Sequence, residues 1–184
     1  MLLSSVPRWY AVYTRSRAEK KVAEEFRKQK IEHYLPLYKT IRQWSDRKKR
    51  VELPLIRSYV FVRINRKNYM KVLKTQHVVK VVHFLGKPVP IPEWQIKNLM
   101  ILMGAQAEVS VTDLKNYEKG DEVIIKNGIL QGLRGSIIKI KGRQKLLITV
   151  SALNFNIVTD INAILVEKIN NVNTSKPEIV KNNK

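Results

Sequence analysis

Residues 8–26 read RWYAVYTRSRAEKKVAEEF, and within this stretch the side-chain pattern changes period. Arg8 to Thr14 is aromatic and β-branched, a composition that suits a strand. Ala18, Val22, Ala23 and Phe26 then recur at helical spacing, which predicts an amphipathic helix running on through RKQK. Ser16 is an acceptable N-cap with Glu19 at the capping-box position, so the helix should begin there. Arg17, Lys20, Lys21 and Lys28 lie largely off the apolar stripe. One face of the helix therefore packs, and another is basic.

Working outward, Tyr34 to Trp44 and Val51 to Leu53 look like strands flanking SDRKKR, which reads as a hairpin tip carrying Arg47, Lys48, Lys49 and Arg50. Ser58 to Ile64 suits a strand, Asn65 can cap a helix reaching about Lys74, and Val78 to Leu85 suits a further strand, giving the order βαβββαβ. Proline removes a backbone donor, so Lys87 to Pro92 cannot continue a central strand. Pro92 is well placed to start a helix, EWQIKNLMILMG, ending at Gly104. Residues 105–117 turn polar and read as a linker. Beyond them DEVIIK, GSIIKIK, KLLITVSA, NIVTDI and AILVEKI are short β-rich runs separated by glycines or polar turns, the pattern of a small barrel. Residues 171–184 have too little apolar content to pack. The expectation is an α+β chain: residues 1–104 an α/β sandwich on a mainly antiparallel sheet, and 118–170 a five-stranded barrel.

Composition narrows the function. Hydrophobic residues make up 44% and charged ones 27%, as in soluble globular proteins. No apolar run approaches the roughly 20 residues of a membrane span, and MLLSSVPRW is too short for a secretion signal, so a cytoplasmic protein with no membrane partner is expected. With no cysteine there is no disulfide, thiolate nucleophile or cysteine-ligated zinc. His33, His77 and His83 lack metal-site spacing, and no nucleophile elbow or P-loop appears; the expectation is no enzyme, no metal and no cofactor. The net charge of +20 points to a polyanion. Residues 1–104 hold 23 Lys+Arg against 7 Asp+Glu, whereas 105–184 hold 12 against 8, so the basic surface belongs to the first domain.

Taken together, these motifs resemble the NusG family of transcription elongation factors over roughly residues 8–169. The first half is similar to the family's amino-terminal domain in RWYAVYTRSRAEKKVAEEF, LPLIRSYVFVRI and VVKVVHFLGKPVPIP. The second is similar to a KOW domain in GDEVIIKNGILQGLRGSIIKI. YLPLYKTIRQWSDRKKRVELPLIRSYVFVRI and KPVPIPEWQIKNL look closest to specialised UpxY-type paralogues, which resemble antiterminators of long surface-polysaccharide operons. Ile56-Arg57-Ser58-Tyr59 departs from the common pattern, as does His77, where many relatives have glycine.

The resemblance implies a monomeric factor that binds elongating RNA polymerase and promotes processive elongation or antitermination. Its first domain would dock the tip of the polymerase clamp helices through an exposed apolar depression at Tyr13, Ile56, Tyr59 and Phe61. Strand aromatics usually pack inside, so ordinary sheet core is the competing reading. Arg15, Arg17, Lys20 and Lys21 would face non-template DNA in the transcription bubble, with Arg47, Lys48, Lys49 and Arg50 as a second surface or a plain solvated turn. Gly128, Gly132 and Gly135 would supply positive φ and close turns. The KOW domains of relatives bind ribosomal protein S10 or Rho, and nothing in these residues selects between them. The rival function is a KOW-containing RNA-binding or ribosome-associated protein, which leaves the first-domain motif unexplained.

Overall fold

A computed structural model describes residues 5–43, 48–104, 120–126, 130–140, 143–160 and 166–169. The expected linker and tail, Arg47 and Gly128 lie outside the described residues. The first domain is built on a four-stranded antiparallel sheet in the order β2-β5-β1-β6, from β1 (Arg8–Thr14), β2 (His33–Tyr34), β5 (Tyr59–Ile64) and β6 (Val78–Val81). Alternation along the strands sorts the side chains to two faces. Tyr10, Val12, Val60, Val62, Ile64 and Val81 pack against α1 (Glu19–Lys28) and α2 (Arg66–Leu73) in one apolar cluster that includes Val22, Phe26 and Val72.

Trp9, Ala11 and Phe61 point the other way, toward α3 (Glu93–Gly104), whose Ile96 and Leu99 share their cluster. The helix is described as far as Gly104, and the residues that follow lie outside the described ones. Pro92 just precedes its first residue, and the Pro92 carbonyl accepts from Gln95 N–H at 3.0 Å.

Capping differs between α1 and α2. Asn65 caps α2 as expected, its side chain accepting from Lys67 N–H and Asn68 N–H. Ser16 does not cap α1: Ala18 holds that position without a side-chain bond, and the Glu19 carboxylate accepts from Ser58 N–H at 2.7 Å instead. A partner across the fold has taken the carboxylate from the local capping box.

The expected hairpin forms between β3 (Leu37–Gln43) and β4 (Lys48–Pro54), but β4 begins earlier than its apolar residues suggested. Lys48, Lys49 and Arg50 pair with Gln43, Arg42 and Ile41, so these cations stand along a strand and not at a tip. Long flexible side chains at exposed ladder positions need no core to pack on. The expected strand from Val78 to Leu85 is likewise broken. β6 ends at Val81, and a separate ribbon of β7 (His83–Phe84) and β8 (Lys87–Pro88) leaves the sheet.

The second domain is a five-stranded antiparallel sheet in the order β12-β11-β10-β9-β13, from β9 (Glu122–Ile125), β10 (Arg134–Ile140), β11 (Arg143–Val150), β12 (Phe155–Asp160) and β13 (Val166–Lys168). Each of the five expected runs overlaps one of these strands. They wrap an apolar cluster of Val123, Ile125, Leu130, Leu133, Ile137, Leu146 and Ile148. Gly132 adopts φ +85, while Gly135 serves a different need: a Cβ there would lie 2.5 Å from the Leu147 carbonyl oxygen. Glycine is thus required once by a left-handed turn and once by close strand approach.

Candidate docking face and nucleic-acid interface

Tyr13, Tyr59, Phe61 and Ile56 come together on the α3 side of the first-domain sheet. Tyr13 and Tyr59 are cross-strand partners with ring centroids 5.4 Å apart, and both are half-buried. The expected exposure fails for the other two: Phe61 is 0% exposed and Ile56 5%. They lie under α3 and under the second domain, whose Val150, Ala152, Leu153, Phe155 and Ile157 belong to the same apolar cluster as Trp9, Ala11, Ile56 and Phe61. Local strand patterning could not reveal a cover supplied from nearly a hundred residues away.

Two amides three residues apart on α3 fix the second domain in place. Asn98 Nδ2 donates to the Arg134 carbonyl at 2.7 Å while its Oδ1 accepts from Arg134 N–H at 3.0 Å, so one side chain satisfies both backbone polar groups of one residue. Gln95 Oε1 accepts from Ser151 N–H at 3.1 Å and from Ser151 Oγ at 3.2 Å. Both side chains are buried, and a buried amide without partners costs on the order of 1–3 kcal/mol. Ile101 and Leu102, one turn further on, pack against the second domain's own cluster. Tyr34 ties β2 to the same helix by donating its hydroxyl to the Leu99 carbonyl at 3.2 Å, and burial pushes its pKa up to about 12.

At the Thr14 end of the sheet three loops meet. Thr14 N–H donates to the Ser58 carbonyl and Arg15 N–H to the His77 carbonyl, both at 2.9 Å, and the buried Glu19 carboxylate holds Ser58 N–H. Each loop contains a non-glycine residue with positive φ: Arg17 at 58°, Ser58 at 63° and His77 at 69°. The two places where the sequence departs from the family pattern therefore include left-handed positions that carry side chains. Such conformations cost energy, and the surrounding loop contacts hold them.

Arg15, Arg17, Lys20 and Lys21 are exposed beside this junction. Lys20 also lies 3.8 Å from Glu52 on β4, an exposed pair worth little stability. That pair borders a groove of about 330 Å³ between α1 and the β3–β4 hairpin, so the helix-start cations and exposed Lys48, Lys49 and Arg50 occupy neighbouring elements. Sequence reading missed Arg57, exposed on the middle loop. The available signal was the absence of any Asp or Glu from residue 53 to 92, a stretch holding eight Lys or Arg. Among the described residues, no group of three or more His, Asp or Glu is placed to hold a metal ion, and no helix is long and apolar enough to cross a membrane.

Comparison with known proteins identifies a family. Residues 7–100 match the family described as transcription termination factor nusG. The transcription termination/antitermination protein NusG of Rickettsia typhi is 29% identical over 178 residues, covering 83% of this chain and 90% of its own. The protein of that name from Borreliella burgdorferi is 26% identical over 184 residues, covering 88% and 98%. A solved structure described as "Domain interaction in Thermotoga maritima NusG" is 25% identical, covers 84% of this chain and 94% of its own, and superposes with a TM-score of 0.49. With the family match spanning the first-domain sheet and its helices, this chain belongs to the NusG family of transcription termination and antitermination factors.

Proposed function

We propose that this protein binds elongating RNA polymerase through its first domain and promotes processive transcription or antitermination, without catalysis of its own. The observation that carries this reading is the aromatic cluster of Tyr13, Tyr59 and Phe61 beside Ile56 on one sheet face, closed by α3 together with residues of the second domain. Buried aromatics are effective interface anchors because a few of them supply most of the contact energy. For Phe61 and Ile56 to meet a polymerase, the second domain must first leave. Polymerase docking and the Asn98–Arg134 contact are then mutually exclusive, and the apparent affinity falls in proportion to the open fraction.

The exposed cations at the three-loop junction fit the phosphates of non-template DNA. Pull-down against core polymerase, with ribosomes and ribosomal RNA in parallel, tests the reading: capture of polymerase supports it, and capture of ribosomes alone overturns it. Reversing Arg17, Lys20 and Lys21 to glutamate tests the DNA contact separately. Each single-strand phosphate contact contributes a slope of about −0.7 in log affinity against log salt, so losing three flattens the dependence by roughly two units. An unchanged slope on a bubble template would show these cations to be a solvated face.

A further inference from the structure

The β7–β8 ribbon follows β6, an edge strand of the sheet, and turns at two apolar side chains that no described residue covers. Phe84 is 69% exposed and Leu85 84%, more than any other large hydrophobic residue described. Leu85 (φ 48°) and Gly86 (φ 74°) are consecutive left-handed residues, as a tight two-residue hairpin turn requires. Asparagine or glycine suits the first of these positions better than leucine, on grounds of both strain and solubility. Leu85 meets neither need, so an apolar tip held in place has to be explained by what it touches.

The ribbon is braced. His83 Nδ1 lies 2.6 Å from the Val81 carbonyl, which can only accept, so that nitrogen carries the proton. Nε2 is then left to accept from the Tyr69 hydroxyl on α2 at 3.4 Å. Val89 N–H donates to the Val82 carbonyl and Ile91 N–H to the Trp9 carbonyl, anchoring the returning chain. Phe84 and Lys87 are cross-strand partners, so an exposed aromatic and an exposed cation share one face of the ribbon. Lys80 is exposed on the adjoining strand, and no acidic residue occurs between Glu52 and Glu93 to neutralise either cation locally.

A partner for this tip must present negative charge and a flat apolar surface within one side-chain length of each other. Unpaired nucleotides do so, because each base has a stacking face and each linkage a phosphate. Paired bases hide those faces. We propose that the β7–β8 ribbon is a stacking site for single-stranded nucleic acid, with Phe84 against a base and Lys87 and Lys80 on flanking phosphates. This goes beyond the polymerase reading and does not depend on it.

The test uses the full chain and fluorescence anisotropy with a labelled single-stranded oligonucleotide and a duplex of matched sequence, across a salt series. Phe84→Ala should weaken single-strand binding roughly tenfold, the effect of losing one base–aromatic stack. The salt slope should not change, since an aromatic ring releases no counterions. Phe84→Tyr should retain affinity, and Lys87→Ala should flatten the slope by about 0.7. Unchanged single-strand affinity in Phe84→Ala, or equal loss on single strand and duplex, overturns the proposal. So does weaker binding to purified polymerase with single-strand affinity intact, which would make the tip a protein contact and leave the polymerase reading standing. A large fall in melting temperature for Phe84→Ala would show a packing role and also overturns it.

Discussion

The two faces of the first-domain sheet are covered in different ways. On one, α1 and α2 seal a cluster of buried hydrophobic residues drawn from the first domain alone, between Tyr10 and Val81. On the other, α3 and a second domain share a cluster stitched at its border by Asn98 and Gln95. An apolar face exposed to water is unstable in isolation, whereas amides can exchange a peptide partner for water at small net cost. The first face is built to stay closed. The second, bordered by buried amides, is the one that would open in the proposed docking.

The largest effect expected from this contrast is at Phe26, which is 0% exposed at the centre of the closed face. Phe26→Ala should destabilise the first domain by about 3–5 kcal/mol, read by chemical denaturation. A loss below about 1 kcal/mol would mean that α1 does not seal that face. Asn98→Ala should act in the middle range, removing about 1–3 kcal/mol from the interdomain contact by orphaning both polar groups of Arg134. Hydrogen exchange at the Arg134 amide should accelerate while amides of β1 and β5 keep their protection. Equal acceleration everywhere would mean that the two faces open as one unit.

The smallest effect concerns Tyr34. Its pKa lies near 12 in the folded chain against 10.0 unperturbed, so the folded state holds its proton where the unfolded state has released it. Its contribution is complete below about pH 10 and is lost as pH rises toward 12. Tyr34→Phe should reduce the alkaline loss of stability in a denaturation series. An identical pH profile would show that burial of this hydroxyl contributes nothing to holding β2 against α3.

The sequence was most legible where a local pattern has one structural solution. Val22, Ala23 and Phe26 at helical spacing, Asn65 before a helix and Gly132 at a turn all behave as their chemistry requires. It was least legible where distant residues compete for a group. Ser58 N–H claimed Glu19 from its capping box, and residues 150–157 covered Phe61 and Ile56. Gln95 and Asn98 carried no signal in sequence because a polar residue on an apolar helix marks an interface only once its partner is placed. Arg57 is legible from charge alone, because it lies in the acid-free stretch from residue 53 to 92.

The second domain covers the face proposed to dock polymerase, and in that proposal it must leave before docking. The affinity of the full chain for core polymerase, compared between the parent and the double variant Gln95→Ala, Asn98→Ala, tests this most directly. Loosening the contact raises the open fraction, so the double variant should bind polymerase more tightly than the parent while its first domain remains folded. Equal or weaker binding by a folded double variant would contradict the account.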